Sequence, residues 1–239
     1  MLKKLFIFVL MPMSVCAATL DDAATDYIYG DYQEAISKAY KHRGRADGLY
    51  FLGLNYIKIG DYAAARKYFK KILRQFPGSK FTEQARIKMA DIYFLEKNFT
   101  QAKIMYNEIK RKYKISNFLP LVYLRLAQIS AKEGLWRDKN KYLNVIENKY
   151  PQSSEMRYVK VLRSHGNYFT VQVGAFSSQE NANTIKKELQ NRYSVYIVSD
   201  IKDNLTIYKV RVGKFQRRKS AQTAYAKLLN EGYPAIIYP

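Results

Sequence analysis

At 239 residues the chain is long enough for one large domain or two modest domains, each with its own buried core. Hydrophobic residues make up 48% of it and aromatic residues 15%, which excludes an intrinsically disordered protein. The net charge of +21 is typical of proteins that bind nucleic acid, and the single cysteine excludes a disulfide framework.

The first 17 residues have the pattern of a secretory signal peptide. Lys3 and Lys4 precede an apolar run over residues 5–13, and the expected cleavage site follows Ala17. The run is too short to span a bilayer, and no later segment reaches the roughly 18 apolar residues that a span needs. We therefore expect a signal peptide over residues 1–17 and an exported, periplasmic protein, for which nucleic acid is not a partner.

Cys16 allows a second interpretation of this signal. Acylation of the cysteine would make the protein an outer-membrane lipoprotein, the one case in which we expect membrane contact. Val15 stands directly before it, whereas lipoprotein signals resemble one another in having Gly, Ala or Ser at that position. Cleavage after Ala17 is therefore the preferred interpretation, and it leaves no cysteine in the mature chain.

Residues 18–163 contain an internal repeat with a period of 37 residues. Aromatic, aliphatic and small residues recur at this interval in three sets: Tyr62, Phe99 and Trp136; Phe69, Tyr106 and Leu143; Gly53, Ala90 and Ala127. Within each unit the apolar positions are three or four residues apart, which is a helical spacing. Large and small residues at fixed offsets are typical of units built from two packed helices.

The turn between the two helices of each unit is also marked in the sequence. The pairs Gly60-Asp61, Lys97-Asn98 and Gly134-Leu135 each offer a residue that tolerates left-handed backbone geometry. These units resemble tetratricopeptide repeats, with an earlier partial unit at residues 29–35. The resemblance implies a helical solenoid whose groove binds a protein partner. We expect this partner to be a division or wall-remodelling protein. A capping helix over residues 152–163 and a linker at 164–167 should follow.

From Tyr168 the apolar period changes from that of a helix to that of a strand. The residue types of segment 169–176 recur in segment 208–215, which lies 39 positions later. Each copy precedes a helical segment (178–192 and 218–231) and a further strand (193–198 and 233–238). The order βαβ–βαβ predicts a small ferredoxin-like α+β domain over residues 168–239. The expected fold is therefore multidomain, with an all-α helical-repeat solenoid followed by this α+β domain.

The strings YFTVQVGAFSSQENA and YKVRVGKFQRRKSA resemble the SPOR (sporulation-related repeat) domain over its full length. The resemblance implies binding to septal peptidoglycan, through glycan strands from which amidases have removed the stem peptides. Gln172 matches a glutamine that lies on the binding face of the family.

Strand alternation assigns the other candidates to the same face. Phe169, Val171 and Val173 should face the helices and join the α/β core, so their neighbours should lie on the opposite, uncovered face of the sheet. An amide, cations, hydroxyls and apolar surface together suit the hydroxyls and ring faces of a sugar polymer. The predicted glycan-binding residues are Gln172, Arg211, Lys209, Thr170, Tyr196 and Ile236.

No catalytic motif is recognisable. The chain has two histidines in unlike surroundings, no phosphate-binding glycine loop and no hydrolase or metalloprotease string. We therefore expect a protein without catalytic residues, metal or cofactor: a periplasmic adaptor that binds denuded glycan at the division septum and recruits or regulates a partner through its repeats. The alternative is an envelope scaffold or lipoprotein that serves an assembly or secretion machine, with the SPOR-like domain as a general wall anchor.

Overall fold

The computed structural model describes residues 19–202 and 205–239, and the expected signal peptide with Cys16 lies outside these residues. The chain divides into two compact units, one ending at Leu95 and the other comprising Glu96–Pro239. Helices described in the repeat region are α1 (Leu20–Tyr29), α2 (Tyr32–Tyr40), α3 (Ala46–Lys58), α4 (Tyr62–Gln75), α5 (Phe81–Leu95), α6 (Phe99–Lys112), α7 (Leu119–Glu133), α8 (Trp136–Lys149) and α9 (Met156–Ser164).

The period predicted from the sequence sets the helix boundaries. The second helices of three successive units, α4, α6 and α8, begin at Tyr62, Phe99 and Trp136, and each is 14 residues long. At the end of each, the amide of the C-cap residue donates to the carbonyl of an isoleucine in the last turn. The predicted tetratricopeptide-like helical architecture is confirmed.

The turns before these helices share one backbone geometry. Gly60, Lys97 and Gly134 have φ angles of +81°, +61° and +76°. In the middle unit the left-handed residue is Lys97, although Asn98 is the better suited type, because Asn98 caps helix α6 instead. The side-chain oxygen of Asn98 accepts a hydrogen bond from the amide of Gln101. The repeat therefore imposes the turn even where no glycine is present.

The C-terminal domain has the predicted topology. Its elements are β1 (Phe169–Phe176), α10 (Gln179–Leu189), β2 (Val195–Lys202), β3 (Leu205–Phe215), α11 (Arg218–Asn230) and β4 (Ile236–Tyr238). The sheet has the order β2-β3-β1-β4 with antiparallel neighbours, which is a ferredoxin-like arrangement. Both helices cover one face, and the core between them is formed by Val171, Val173, Ala182, Leu189, Val210, Val212, Ala224 and Leu228.

Phe169 is buried, but by different neighbours from those that strand alternation predicts. Its ring lies 5.0 Å from that of Trp136, centroid to centroid, and the guanidinium of Arg218 is 5.7 Å from its centre. A Cβ on Gly134 would come within 2.9 Å of the same ring. The expectation that Phe169 joins the α/β core is therefore wrong, because the turn before α8 covers its side chain.

The segment between the repeats and the sheet is held by α8. Nζ of Lys139 donates to the carbonyl oxygens of Gly166 (2.6 Å) and Leu162 (3.4 Å), and the lysine is only 2% exposed. Arg163 pairs with Glu147 on α8 at 2.7 Å and also reaches two asparagines of that helix. The segment predicted as a linker is thus held against α8 through Gly166 and through Leu162 and Arg163 just before it.

Candidate functional site

The sheet face opposite the helices carries a row of candidate residues, one from each strand. Gln172 on β1 is paired with Ile236 on β4 and with Arg211 on β3, and Arg211 is paired with Tyr196 on β2. Because paired residues of neighbouring strands project to the same side, these four side chains lie on one face. This row contains four of the six residues predicted from the sequence, and Thr170 and Lys209 lie next to it.

The expected exposure of this face needs correction for Thr170 and Arg211, which are only 2% and 4% exposed. The hydroxyl of Thr170 donates to the carbonyl of Val212 at 3.1 Å and accepts from the hydroxyl of Tyr196 at 3.1 Å. Burial raises the pKa of this Tyr196 hydroxyl. Thr170 therefore holds the Tyr196 hydroxyl in position by a hydrogen bond across the sheet, and its own side chain is too buried to contact a ligand extensively.

Arg211 is covered by an aromatic ring and not by an acidic partner. Its guanidinium carbon lies 5.1 Å from the ring centre of Tyr238, close enough for a cation–π contact. Among the described residues no carboxylate forms an ion pair with it, and its buried Nε has no hydrogen-bond partner. An arginine desolvated without a counter-charge is costly for the fold unless another molecule supplies acceptors.

Gln172 carries an unsatisfied hydrogen-bond acceptor, whereas Arg211 carries an unsatisfied donor. Its buried Oε1 has no hydrogen-bond donor within the part of the chain that the structure describes. This acceptor and the unsatisfied donor of Arg211 belong to directly paired residues in the middle of the sheet. A ligand with hydroxyl and amide groups would satisfy both atoms, because such groups both donate and accept.

Lys209 lies two residues before Arg211 on the inner strand β3, and Ile236 lies on the edge strand β4. Nζ of Lys209 forms an ion pair of 2.5 Å with Asp200, and this hydrogen bond holds the pKa of the aspartate below its usual value. The charge of Lys209 is therefore already compensated. Ile236 is 58% exposed and provides an apolar edge beside Gln172.

Sequence reasoning missed three residues on this face. Tyr238 could have been found, because it lies two positions after Ile236 on the same strand. Lys214 has its Nζ 5.1 Å and 5.2 Å from the ring centres of Tyr168 and Tyr196. Its position follows from the packing around the end of β3, and strand alternation gives no signal for it.

His165 is the third missed residue, and it precedes the sheet. It is the C-cap of α9, its ring centre is 6.4 Å from that of Tyr238, and its buried Nδ1 has no hydrogen-bond partner among the described residues. Burial lowers its pKa, and the nearby Arg211, Lys209 and Lys139 act in the same direction. Nothing in the local sequence indicates that this residue approaches the face.

Residues 19–202 and 205–239 contain neither a metal-binding cluster nor a membrane-spanning helix. No group of three or more His, Cys, Asp or Glu side chains is placed to hold a metal ion there. No helix of that part of the chain is long and apolar enough to cross a membrane.

Comparison with family models identifies both parts of the chain. Residues 166–239 match the SPOR domain, and residues 46–79 and 84–114 match tetratricopeptide repeats. A SPOR domain implies peptidoglycan binding, and tetratricopeptide repeats imply interaction with proteins.

Two individual proteins show a weaker similarity. The outer membrane protein assembly factor BamD of Pasteurella multocida (strain Pm70) is 26% identical over 86 residues, which cover 36% of this chain and 33% of that protein. The chain thus spans about a third of the length of this relative. A solved structure of PilF from Pseudomonas aeruginosa aligns with a TM-score of 0.43 at 18% identity, covering 61% of this chain and 68% of that one. The family matches therefore show that the chain contains a SPOR domain at residues 166–239 and two tetratricopeptide repeats at residues 46–79 and 84–114.

Proposed function

We propose that the protein is a periplasmic, non-enzymatic adaptor that binds denuded glycan strands of peptidoglycan at the division septum. The SPOR domain would make the glycan contact, and the repeats would recruit or regulate a protein partner of division or wall remodelling. The observation that carries this proposal is the central pair on the SPOR sheet, Gln172 and Arg211, which are adjacent and carry buried polar atoms without partners.

The chemistry of this pair fits a sugar polymer without stem peptides. Gln172 would accept a hydrogen bond from a sugar hydroxyl, and Arg211 would donate to a hydroxyl or acetamido oxygen. Ile236 and the ring of Tyr238 would contact the apolar faces of the sugar rings. Thr170 would act indirectly by holding Tyr196, and Lys209 would contribute weakly because Asp200 compensates its charge.

The test is sedimentation of the chain, prepared without residues 1–17, with cell-wall sacculi before and after amidase digestion. We expect amidase treatment to increase binding and the double variant Gln172→Ala, Arg211→Ala to weaken it about 10- to 100-fold, because a hydrogen bond to a charged group contributes about 1.5–3 kcal/mol. The matched control is Lys187→Ala, Gln190→Ala, which removes one cation from the exposed surface of α10 and one amide from its exposed C-cap.

Two outcomes would contradict the proposal. Equal binding of the double variant and the control to amidase-treated sacculi would show that the sheet face does not contact glycan. Binding that is the same for all sacculi and disappears at moderate salt would show that the excess positive charge holds the protein to the wall, because salt screens exposed charges.

A second candidate function is supported by the partial similarity to an outer membrane assembly factor. In this interpretation the protein is an envelope scaffold or lipoprotein that serves an assembly or secretion machine, and the SPOR domain is a general wall anchor. Fluorescence microscopy of a tagged chain distinguishes the two candidates. We expect the signal to concentrate at the septum and to spread along the envelope in the double variant. An even peripheral signal for the unaltered chain would favour the scaffold.

A further inference from the structure

The glycan-binding face proposed above borders a residue that the repeat region supplies. His165 precedes the segment that matches the SPOR domain, and it ends α9, the last helix of the repeats. Its ring lies beside the ring of Tyr238, which also carries the guanidinium of Arg211. His165 and Arg211 therefore flank the same tyrosine.

Buried polar atoms without partners are concentrated at this place. The described residues contain seven such side-chain atoms, and three of them are Nδ1 of His165, Nε of Arg211 and Oε1 of Gln172. The other four are scattered over the repeats, in Asn55, Arg86, Ser153 and Asp26, and Asp26 is in fact ion-paired with Lys38 at 2.8 Å. Two of these atoms lie beside the ring of Tyr238, and the third belongs to Gln172, the strand partner of Arg211. Because native folds satisfy most buried polar atoms, this grouping indicates a place where a ligand completes the hydrogen bonding.

We propose that His165 is a glycan-contacting residue, so that the binding site is formed jointly by the SPOR sheet and the end of the repeats. This inference rests on the proposed function and names a further residue of the same site. Nδ1 would exchange a hydrogen bond with a hydroxyl or acetamido group of the glycan. A neutral imidazole, which the lowered pKa favours at pH 7, can donate from one ring nitrogen and accept at the other.

A buried lysine of the repeats holds the backbone on both sides of His165. Lys139 on α8 donates to the carbonyls of Leu162 and Gly166, on either side of the histidine along the chain. Gly166 has a φ of +71°, and a Cβ there would come within 2.5 Å of the ring of Tyr168, so the turn after His165 is closely packed. The histidine is therefore presented by an anchored turn, and α8 is the element that anchors it.

The experiment compares His165→Ala, His165→Asn and Asn167→Ala in the chain without residues 1–17, with amidase-treated sacculi as the ligand. We expect His165→Ala to bind about 10-fold more weakly. The Asn variant should remain within about 3-fold of the unaltered chain, because its side-chain amide places polar atoms near the position of Nδ1. Asn167→Ala changes an exposed neighbour in the same turn and should bind as the unaltered chain does.

Thermal denaturation and NMR separate contact from a structural role. All three variants should keep the melting temperature of the unaltered chain, and the imidazole resonances of His165 should shift when soluble denuded glycan is added. Unchanged binding by His165→Ala, together with weak binding by the Gln172→Ala, Arg211→Ala variant, would overturn this inference while leaving the proposed function intact. Unchanged binding by both would overturn the proposed function itself.

Discussion

Replacing Phe169 by alanine is expected to lower the free energy of unfolding of the Glu96–Pro239 unit by about 3–5 kcal/mol, as truncation of a fully buried phenylalanine does. The ring is 0% exposed and contacts Trp136, Gly134 and Arg218. Its removal would leave a cavity between the turn before α8 and the start of β1. Urea denaturation followed by tryptophan fluorescence measures the loss directly, because the only tryptophan of the chain stands against this ring.

The matched control is Phe176→Ala at the other end of β1. That ring is only partly buried and packs against the α/β core, so we expect a smaller loss of about 1–2 kcal/mol and little change in tryptophan fluorescence. Trp136→Ala and the double variant Trp136→Ala, Phe169→Ala lack the only tryptophan, so the unfolding of all variants is also followed by far-UV circular dichroism. By that measurement the two changes should be non-additive by about 1 kcal/mol, which is typical of an aromatic pair. Additive effects, or a loss for Phe169→Ala no larger than for the control, would show that the contact with the repeats is not a stable part of the fold.

The stability of the same unit should increase with pH between about 7 and 9.5 because of Lys139. Burial lowers the pKa of this lysine to about 8, from an ordinary value near 10.5, and the neighbouring Arg163 adds to the effect. Between these two values the unfolded chain binds more protons than the folded chain, so raising the pH favours the folded state. Since one pKa unit corresponds to about 1.4 kcal/mol, the gain through this group should reach about 2 kcal/mol by pH 9.5.

The comparison with Lys139→Met isolates this contribution. Burial also lowers the pKa values of Lys110 and Lys132 in this unit, so both proteins should retain part of the pH dependence, and their difference measures Lys139. Measurements should stop below pH 10, because burial raises the pKa values of Tyr123 and Tyr142. At higher pH these tyrosines ionise more readily in the unfolded chain, which lowers the stability of the folded state. Lys149→Met, at an exposed position of the same helix, is the control. Equal slopes for Lys139→Met and the unaltered chain would contradict the assignment.

The repeats could be predicted from the sequence because their information is local and periodic. The 37-residue interval placed Tyr62, Phe99 and Trp136 at equivalent sites, and all three begin helices. It also marked the turn at Lys97, where the helix pair requires left-handed geometry that the residue type alone would not suggest. Strand alternation likewise assigned Val171 and Val173 to the core of the C-terminal domain.

The features that sequence reasoning missed depend on contacts between distant segments. Nothing near Phe169 indicates that Trp136 will cover it, and nothing near His165 indicates that it will approach Tyr238. Alternation placed Arg211 on the correct face but could not show its burial, because the covering ring comes from the end of the chain. In the site, therefore, the sequence predicts the direction in which each strand residue points, whereas tertiary packing decides how far each is exposed.

The turn that contacts the SPOR domain belongs to one repeat unit, and that unit shares its length and its turn geometry with the units before it. Insertion or deletion of whole 37-residue units upstream would leave Gly134, Trp136 and their partners on the sheet unchanged. The number of repeats can therefore vary in evolution without changes to the SPOR domain. If the protein is the adaptor proposed above, the distance between the wall and a bound partner would change in steps of one repeat unit.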